Sequence, residues 1–375
     1  MVLKSFEWTY MLSGWTLNKV DFRPITLVVG PSGVGKTRLL RSILALKAIA
    51  YGKAISGVKW NCLFEADDST QYTWEGQYDS KKALLTTPAE VIDEQFDSND
   101  HDNIKLESLS INGKQVIKRR DNEIFFNGKL TPKFPSHQSA VYVLQEEGII
   151  KPFSLALKSL TIIDQTQNKA KYIPSLDYGY NNLCKRQLSN QEIIKADTSV
   201  FGKLCLAYKN KSTLFDAIRD QFVEIFPFVE DIKVEPIEDR NVVSCDVPLL
   251  QLKEKGVKKW VHQAYFSSGM FNTLSLLCKL SLSSEGSITL IDEFENSLGV
   301  NCINQVSRLI LENRRRLQFI LTSHHPYIIN NINSDSWVVL TRKAGKVTPK
   351  SANEIGIGNS KHDSFTQLIN FQSDF

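Results

Sequence analysis

The chain has 375 residues, of which 42% are hydrophobic and 23% charged, with a formal net charge of +4. The apolar fraction is typical of a globular protein, and the length suffices for one large α/β domain with insertions or for about two to three domains. Six scattered cysteines without a C-x-x-C pair indicate neither a disulfide framework nor a zinc site. With no signal-like start and no apolar run of membrane length, we expect a reduced, soluble, cytoplasmic protein without a membrane partner.

The first element is a pair of strands. Residues 1–24 have the pattern of two short strands, with Ser13-Gly14 at the turn. Trp8, Tyr10, Trp15 and Phe22 are interpreted as core residues of these strands. The alternative, that one of them packs on a nucleotide base, stays open.

The next stretch predicts a phosphate-binding loop. Ile25–Val29 is an apolar, β-branched run that predicts a buried strand, and an amphipathic helix begins at Lys36. The intervening residues match G-x-x-x-x-G-K-[ST] in the strand–loop–helix context that the motif requires. The predicted binding residues are Gly30, Pro31, Ser32, Gly33, Val34, Gly35, Lys36, Thr37 and Arg38.

The chemistry of the motif explains its spacing. Glycines let backbone N–H groups turn towards phosphate oxygens, and the helix start adds the positive end of its dipole. Lys36 is expected to reach the β- and γ-phosphates, and the Thr37 hydroxyl to bind Mg²⁺. The sequence therefore predicts a site for a nucleoside triphosphate.

After this helix the pattern becomes that of antiparallel strands. Alternating segments run from about residue 53 to 135, and Asn112-Gly113 and Asn127-Gly128 predict hairpin turns. Lys118–Arg120 is interpreted as a solvated guard at a strand edge in preference to a DNA contact. Ser139–Leu144 predicts a further short buried strand that ends in Gln145.

The rest of the chain alternates helices with strands. Residues 153–226 are expected to be mostly helical, and 232–252 to return to strands. A Ser-Ser-Gly loop then precedes a helix, an apolar strand ends in Asp292-Glu293, and another ends in Ser323-His324-His325-Pro326. Such alternation indicates a parallel sheet, whose ligands lie at the carboxyl ends of the strands. The predicted strand-end residues Lys36, Gln145, Asp292, Glu293 and His324 are therefore expected to form one site.

Two carboxylates suit a metal–phosphate site. Asp292 after an apolar strand can hold Mg²⁺ opposite the phosphate loop. Glu293 can polarise a water molecule for attack on the γ-phosphate. The alternative is that the pair only caps the following helix. His325 is interpreted as a helix-start or surface residue.

The order of these motifs resembles an ABC-type ATPase head, and more narrowly the SMC/RecF/OLD group, which acts in DNA repair and phage defence. The similarity covers residues 1–50 and 260–345. It implies an α/β P-loop NTPase fold with a mixed central sheet, an inserted antiparallel β region and a helical lobe. We expect an ATPase core over 1–52 and 261–345, the β region over 53–138, the helical lobe with returning strands over 139–260 and a C-terminal tail over 346–375.

The resemblance also implies residue roles, with ATP sandwiched between two heads arranged head to tail. Ser267, Ser268 and Gly269 match the signature that touches the γ-phosphate on the opposite subunit. By this resemblance Glu293 would be the catalytic base and His324 the switch histidine. Gln145 would be the Q-loop residue and would bind Mg²⁺ together with Thr37 and Asp292. Met270 departs from the polar residue usual after the signature glycine, which weakens one contact to the partner's nucleotide.

The implied function is an ATPase that uses ATP and Mg²⁺ to form a homodimer or higher oligomer and controls DNA or a separate effector, in phage defence or DNA maintenance. Sustained heptads are absent, which disfavours an SMC-like tethering role. A short segment without an acidic nuclease cluster follows the last ATPase strand, so we expect a nuclease or toxin activity in a separate protein. A RecF-like DNA-binding repair ATPase and a non-hydrolysing, ATP-dependent scaffold remain alternatives.

Overall fold

The structure is a computed structural model that describes residues 1–80, 102–164, 178–236, 248–296, 298, 300–312 and 316–357. Two compact units divide the chain. The first unit consists of Met1–Ile163, Gly286–Glu293 and Arg315–Phe375, and the second of Asp164–Glu285 and Phe294–Arg314. No helix among the described residues is long and apolar enough to cross a membrane.

The strands of the described residues are numbered in chain order. They are β1 (Val2–Tyr10), β2 (Trp15–Asp21), β3 (Ile25–Val29), β4 (Val58–Glu65), β5 (Gln71–Tyr78), β6 (Ile104–Ile111), β7 (Lys114–Arg120), β8 (Glu123–Phe126), β9 (Lys129–Leu130), β10 (Thr161–Asp164), β11 (Val229–Glu235), β12 (Leu249–Glu254), β13 (Val261–His262), β14 (Ile288–Asp292), β15 (Gln318–Thr322), β16 (Trp337–Lys343) and β17 (Lys346–Ser351).

The α-helices are numbered in the same way. They are α1 (Lys36–Ala50), α2 (Ala140–Val143), α3 (Lys151–Lys158), α4 (Tyr178–Leu183), α5 (Asn190–Lys195), α6 (Val200–Lys209), α7 (Thr213–Ile225), α8 (Ser268–Leu282), α9 (Val300–Leu311) and α10 (Pro326–Asn331). Short 3₁₀ turns cover Gln263–Tyr265, Ser334–Ser336 and Asn353–Ile355.

A mixed sheet organises the first unit. Its strand order is β10-β14-β15-β3-β16-β17-β2-β1-β4-β5-β6-β7-β8-β9. The strands β14, β15, β3 and β16 run parallel to their neighbours in this series. Every residue of β14 and β15 is buried, as expected for parallel strands covered on both faces. The predicted parallel core is therefore confirmed, and β3 lies in its middle.

The N-terminal strands are also confirmed, and they contact the C-terminal part of the sheet. The amide of Thr16, at the start of β2, donates to the carbonyl oxygen of Gly345 at 2.9 Å. A Cβ atom on Gly345 would lie 2.6 Å from the carbonyl oxygen of Gly14, so the two turns pack backbone to backbone. Residues 346–351, expected to belong to a tail, instead form β17, which pairs with β16 and β2.

The antiparallel region from β4 to β9 continues the same sheet. Asn112 and Asn127 have φ angles of 49° and 50°, which confirms the two Asn-Gly turns. The basic run at residues 118–120 is not an edge guard, because β7 pairs with strands on both sides. Arg119 is only 1% exposed, and its guanidinium donates to the carbonyl oxygens of Ser136 at 2.8 Å and Asp121 at 2.9 Å.

The predicted strand at residues 139–144 is wrong, because this segment contains the helix α2. Ser139 caps it by accepting a hydrogen bond from the amide of Val141. The carboxylate of Glu107, from β6, accepts a second hydrogen bond from the amide of Ala140 at 2.7 Å. Both contacts satisfy amides at the helix start, which favours a helix over a strand.

The second unit contains helices and a small sheet. The helices α5, α6 and α7 lie within the segment predicted to be helical, and each is capped by a serine. The sequence pattern missed β10, just before this unit. The order of the small sheet is β11-β12-β13, and the lysine-rich segment at 253–259 connects β12 to β13. This unit also carries α8, at whose start the signature residues lie.

Candidate functional site

The phosphate loop connects β3 to α1, as the sequence predicts. Gly30, Gly33 and Gly35 have φ angles of 150°, 75° and 116°, which side-chain-bearing residues rarely adopt. A Cβ atom on Gly30 would lie 2.7 Å from the carbonyl oxygen of Leu340 in β16. The glycine is therefore required both by its backbone angle and by the close approach of the neighbouring strand.

Lys36 lies inside the curve of this loop and is 8% exposed. Its Nζ donates to the carbonyl oxygens of Gly30 at 2.8 Å and Pro31 at 3.0 Å. These carbonyl oxygens stabilise the ammonium inside the loop. Phosphate oxygens can therefore compete for the same three N–H donors, as a phosphate-loop lysine requires.

The predicted carboxylates lie at the end of the neighbouring parallel strands. Asp292 ends β14 and is 7% exposed, whereas Glu293 is half-buried with a φ angle of 47°. This left-handed conformation is uncommon for a residue with a side chain, and it changes the direction of the chain sharply after Asp292. Adjacent residues thus present their carboxylates in different directions.

Thr322, at the end of β15, joins the two carboxylate residues. Its hydroxyl donates to Asp292 Oδ1 at 2.8 Å and accepts from the backbone N–H of Glu293 at 2.8 Å. The threonine is fully buried. We call Asp292, Glu293 and Thr322 the carboxylate edge. The sequence analysis gave Thr322 no role, since a threonine that ends a strand is common.

The segment after Thr322 distinguishes two adjacent histidines. His325 Nδ1 accepts from the amide of Tyr327 at 3.2 Å and caps α10, so the helix-start interpretation of this residue is confirmed. His324 is exposed and lies two residues beyond the carboxylate edge. Its position at a strand end is compatible with a contact to a bound phosphate.

Gln145 does not follow a strand, so the context on which its assignment depended is wrong. It lies in the turn after α2, partly buried. Its Oε1 accepts a hydrogen bond from Lys158 Nζ, at the end of α3. A role for Gln145 at the nucleotide stays a prediction that the fold no longer favours.

The signature residues lie in the second unit. Ser267 is exposed and caps α8 by accepting from the amide of Met270 at 3.2 Å. A serine that accepts at a helix start keeps its own O–H proton for another acceptor. Tyr265, two residues earlier, is 81% exposed. The segment therefore presents a hydroxyl, a helix start and an aromatic ring to solvent.

On the other side of the phosphate loop, the structure brings together Arg38, predicted to bind nucleotide, and the aromatic residues Tyr10 and Trp15, a contact that the sequence did not predict. The guanidinium carbon of Arg38 lies 4.6 Å from the ring centroid of Tyr10 and 4.5 Å from that of Trp15. Its Nη2 donates to Ser13 Oγ at 3.2 Å. Burial, and then the like charge of Arg342, lower the pKa of Arg38, which the phenol of Tyr10 partly offsets.

Arg342, in β16, contacts the loop directly. Its Nη1 donates to the carbonyl oxygen of Gly33 at 3.1 Å, and its Nε to that of Ala344 at 2.7 Å. Burial raises the pKa of Tyr10, so this phenol is neutral at physiological pH. Among the ion pairs of the described residues none involves Arg38 or Arg342, and the two positive charges therefore face the loop without a counter-charge.

The residues present fit a magnesium-bound triphosphate. Around the loop, a cradle of glycine backbone and the Lys36 ammonium, which donates to loop carbonyls, can receive phosphates. Thr37 and Asp292 would supply oxygen ligands, which Mg²⁺ prefers beside phosphate oxygens and water. The described residues hold no cluster of three or more His, Cys, Asp or Glu suited to a metal.

Together, the loop, the parallel strands and the carboxylate edge define a P-loop NTPase of the ABC type, with a mixed central sheet. Residues 25–330 match the sequence model of a family described as "AAA domain, putative AbiEii toxin, Type IV TA system". The chain belongs to this AAA domain family, which confirms the predicted relationship to AAA-type ATPases.

Solved structures of SMC heads are also similar to this chain. The SMC head domain from Thermotoga maritima has 12% identity and a TM-score of 0.47, with 94% of this chain and 99% of that chain covered. The SmcHead bound to the C-winged helix domain of ScpA has 14% identity, the same TM-score of 0.47 and coverage of 94% and 99%. No curated protein matched the chain.

Proposed function

We propose that this protein is an ATPase that hydrolyses Mg²⁺-bound ATP between two copies arranged head to tail, and that this cycle controls a separate effector. The observation that carries the proposal is the carboxylate edge. Thr322 fixes Asp292 and the backbone of Glu293 on strands beside the phosphate loop. If Asp292 and Glu293 only capped the following helix, Asp292 would not need to be buried. A threonine hydroxyl bonded to both residues would not be needed either.

The residues suggest the following division of labour. Lys36 exchanges the carbonyls of Gly30 and Pro31 for β- and γ-phosphate oxygens. Thr37 and Asp292 hold the Mg²⁺, which would neutralise phosphate charge. Glu293 accepts a proton from the water that attacks the γ-phosphorus, while the bond from phosphorus to the β–γ bridging oxygen breaks and ADP leaves. His324 contacts the γ-phosphate.

The second copy would complete the site. Ser267 is exposed at the start of α8, where a hydroxyl and helix amides can bind the γ-phosphate of the partner's nucleotide. ATP would stabilise the closed dimer because its γ-phosphate contacts both copies, and hydrolysis would release it. The family description names a putative AbiEii toxin and a type IV toxin–antitoxin system, which supports a link between the ATPase cycle and toxicity. We further propose that the effector is a separate toxin or nuclease that acts in phage defence in the cytoplasm.

The test compares oligomeric state and hydrolysis in four proteins. The wild type should hydrolyse ATP, and Glu293→Gln should bind ATP, hydrolyse it at least about 100-fold more slowly and sediment as a dimer in ATP and Mg²⁺. Lys36→Ala should bind no ATP. Glu285→Gln, an exposed acid outside the site, is the matched control and should behave as wild type.

A further variant separates the sandwich from binding within one copy. Ser267→Asp keeps a residue that caps a helix but places a carboxylate against the partner's γ-phosphate. It should bind ATP as a monomer and fail to dimerise or hydrolyse. A Glu293→Gln protein that stays monomeric at saturating ATP would refute the head-to-tail site, and ATP binding without measurable turnover in the wild type would favour the scaffold alternative.

A further inference from the structure

The phosphate loop follows β3, which has different groups of strands on its two sides, and the two ends of a bound nucleotide are expected to lie towards different groups. The carboxylate edge follows β14 and β15, on one side of β3. The strands β16, β17, β2 and β1 lie on the other side. Because the γ-phosphate must lie at the carboxylates and the metal, the nucleoside end of the same molecule extends towards β16 and the turn between β1 and β2.

Arg38, Tyr10 and Trp15 form a preassembled surface on that side, which we call the arginine platform. Arg38 lies in the first turn of α1, directly after Thr37. Its guanidinium rests on two rings whose centroids are 5.8 Å apart and whose planes are inclined by 49°. Both rings are buried, with 8% exposure for Tyr10 and 1% for Trp15, whereas Arg38 is half-exposed.

The contacts of the guanidinium hold it in place, and no ion pair of the described residues compensates its charge. The aromatic faces attract the cation, and Ser13 accepts one of its N–H groups. Arg342 adds a second positive charge that lowers the pKa of Arg38. A planar cation held in this way is preorganised to stack on a nucleobase, since the side-chain entropy has already been lost.

We propose that Arg38 is the residue that recognises the nucleoside, by stacking its guanidinium against the base while Tyr10 and Trp15 hold it from behind. This inference rests on the proposed function, because it takes the triphosphate to be bound at the loop. It assigns the preference for a nucleoside triphosphate over a bare polyphosphate to one side chain. It also gives the aromatic residues of β1 and β2 an indirect role in place of direct contact with the base.

The experiment compares Mg·ATP with inorganic tripolyphosphate, which has the phosphates but no base or ribose. Binding is measured by calorimetry on wild type, Arg38→Ala, Arg38→Lys and the control Lys343→Ala. Lys343 is an exposed cation beside Arg342, so the control removes a nearby charge without touching the platform. Thermal unfolding of each variant checks that the fold is retained.

Arg38→Ala and Arg38→Lys should each weaken ATP about 10-fold, the size expected for losing one stacked base. Tripolyphosphate binding should change less than about 2-fold in both, because the phosphate loop is intact. Lysine keeps the charge but not the plane, and it therefore distinguishes stacking from Coulomb attraction.

Two outcomes would overturn the inference. One is wild-type ATP affinity in both Arg38 variants, and the other is an equal loss of ATP and tripolyphosphate affinity, which would make Arg38 a phosphate ligand. If the loop binds no triphosphate, the wild type will bind neither ligand and Lys36→Ala will change nothing. If instead only hydrolysis or dimerisation fails, the wild type will still bind both ligands, and the comparison of Arg38 variants remains a test.

Discussion

Replacement of Thr322 by valine tests how the carboxylate edge is held. The two side chains have nearly the same shape, so the change removes the hydroxyl with little loss of packing. Asp292 Oδ1 then loses its 2.8 Å donor, and the backbone N–H of Glu293 loses its 2.8 Å acceptor. Because Thr322 and Asp292 are buried, water does not readily replace the lost donor to Asp292.

The magnitude follows from these two lost contacts. A buried polar group left without a partner costs about 1–3 kcal/mol. Asp292 is 7% exposed, but Glu293 is half-buried and its N–H recovers part of the loss from water. We therefore expect the free energy of unfolding to fall by about 3 kcal/mol. Hydrolysis should slow about 10–100-fold, as for other residues that orient metal ligands.

The assay combines urea unfolding with steady-state ATP hydrolysis over a range of Mg²⁺ concentrations. The matched control is Thr289→Val, the same change in β14 at a residue that is 2% exposed. Its hydroxyl has only a 3.5 Å contact with Thr161 Oγ1, so we expect a loss of about 0.5 kcal/mol and unchanged hydrolysis. The reasoning is refuted if Thr322→Val matches this control in stability, turnover and magnesium dependence.

Two further predictions concern the loop and a lysine in the second unit. Gly30→Ala should lower the free energy of unfolding about 2 kcal/mol more than Gly113→Ala, because only at Gly30 would the added Cβ meet the Leu340 carbonyl oxygen, at 2.7 Å. It should also reduce ATP affinity at least about 10-fold. Equal losses of stability in urea for the two variants would contradict the close packing. Burial lowers the pKa of Lys279 to about 8, so the unfolded chain binds more protons between about pH 8 and 10.5 and stability rises with pH there. Lys279→Met should therefore be more stable than wild type at pH 7, and this advantage should shrink steadily between about pH 8 and about pH 10.5 in urea titrations. Lys209→Met, at an exposed position, should show no such trend.

The parts of the site that are contiguous in sequence could be predicted. The loop from Gly30 to Thr37 carries its own strand, turn and helix start, and Asp292-Glu293 follows an apolar run. Both signals are local, because the residues that make the chemistry also determine the backbone around them. The strand β3 and the helix α1 consequently begin where the pattern places them.

The rest depends on partners that are distant in the chain. The apolar run at 140–143 suits a strand or a helix equally, and Glu107, 33 residues before Ala140, decides for the helix. Thr322 has a role only because parallel pairing places it beside Asp292. The arginine platform likewise forms only because β1 and β2 bring Tyr10 and Trp15 against Arg38. Hydrophobic periodicity does not reveal such a contact.

The position of β3 determines when, during its synthesis, this protein can first bind nucleotide. Both neighbours of the phosphate-loop strand, β15 and β16, come from residues after 317, and Gln318 is bonded to Leu3 across 315 positions. During most of translation the phosphate loop has therefore been synthesised, but the two strands that pair with β3 have not, since such long-range pairing forms late. Products truncated before residue 317 lack both strands that flank the phosphate-loop strand, and we therefore expect them not to bind nucleotide.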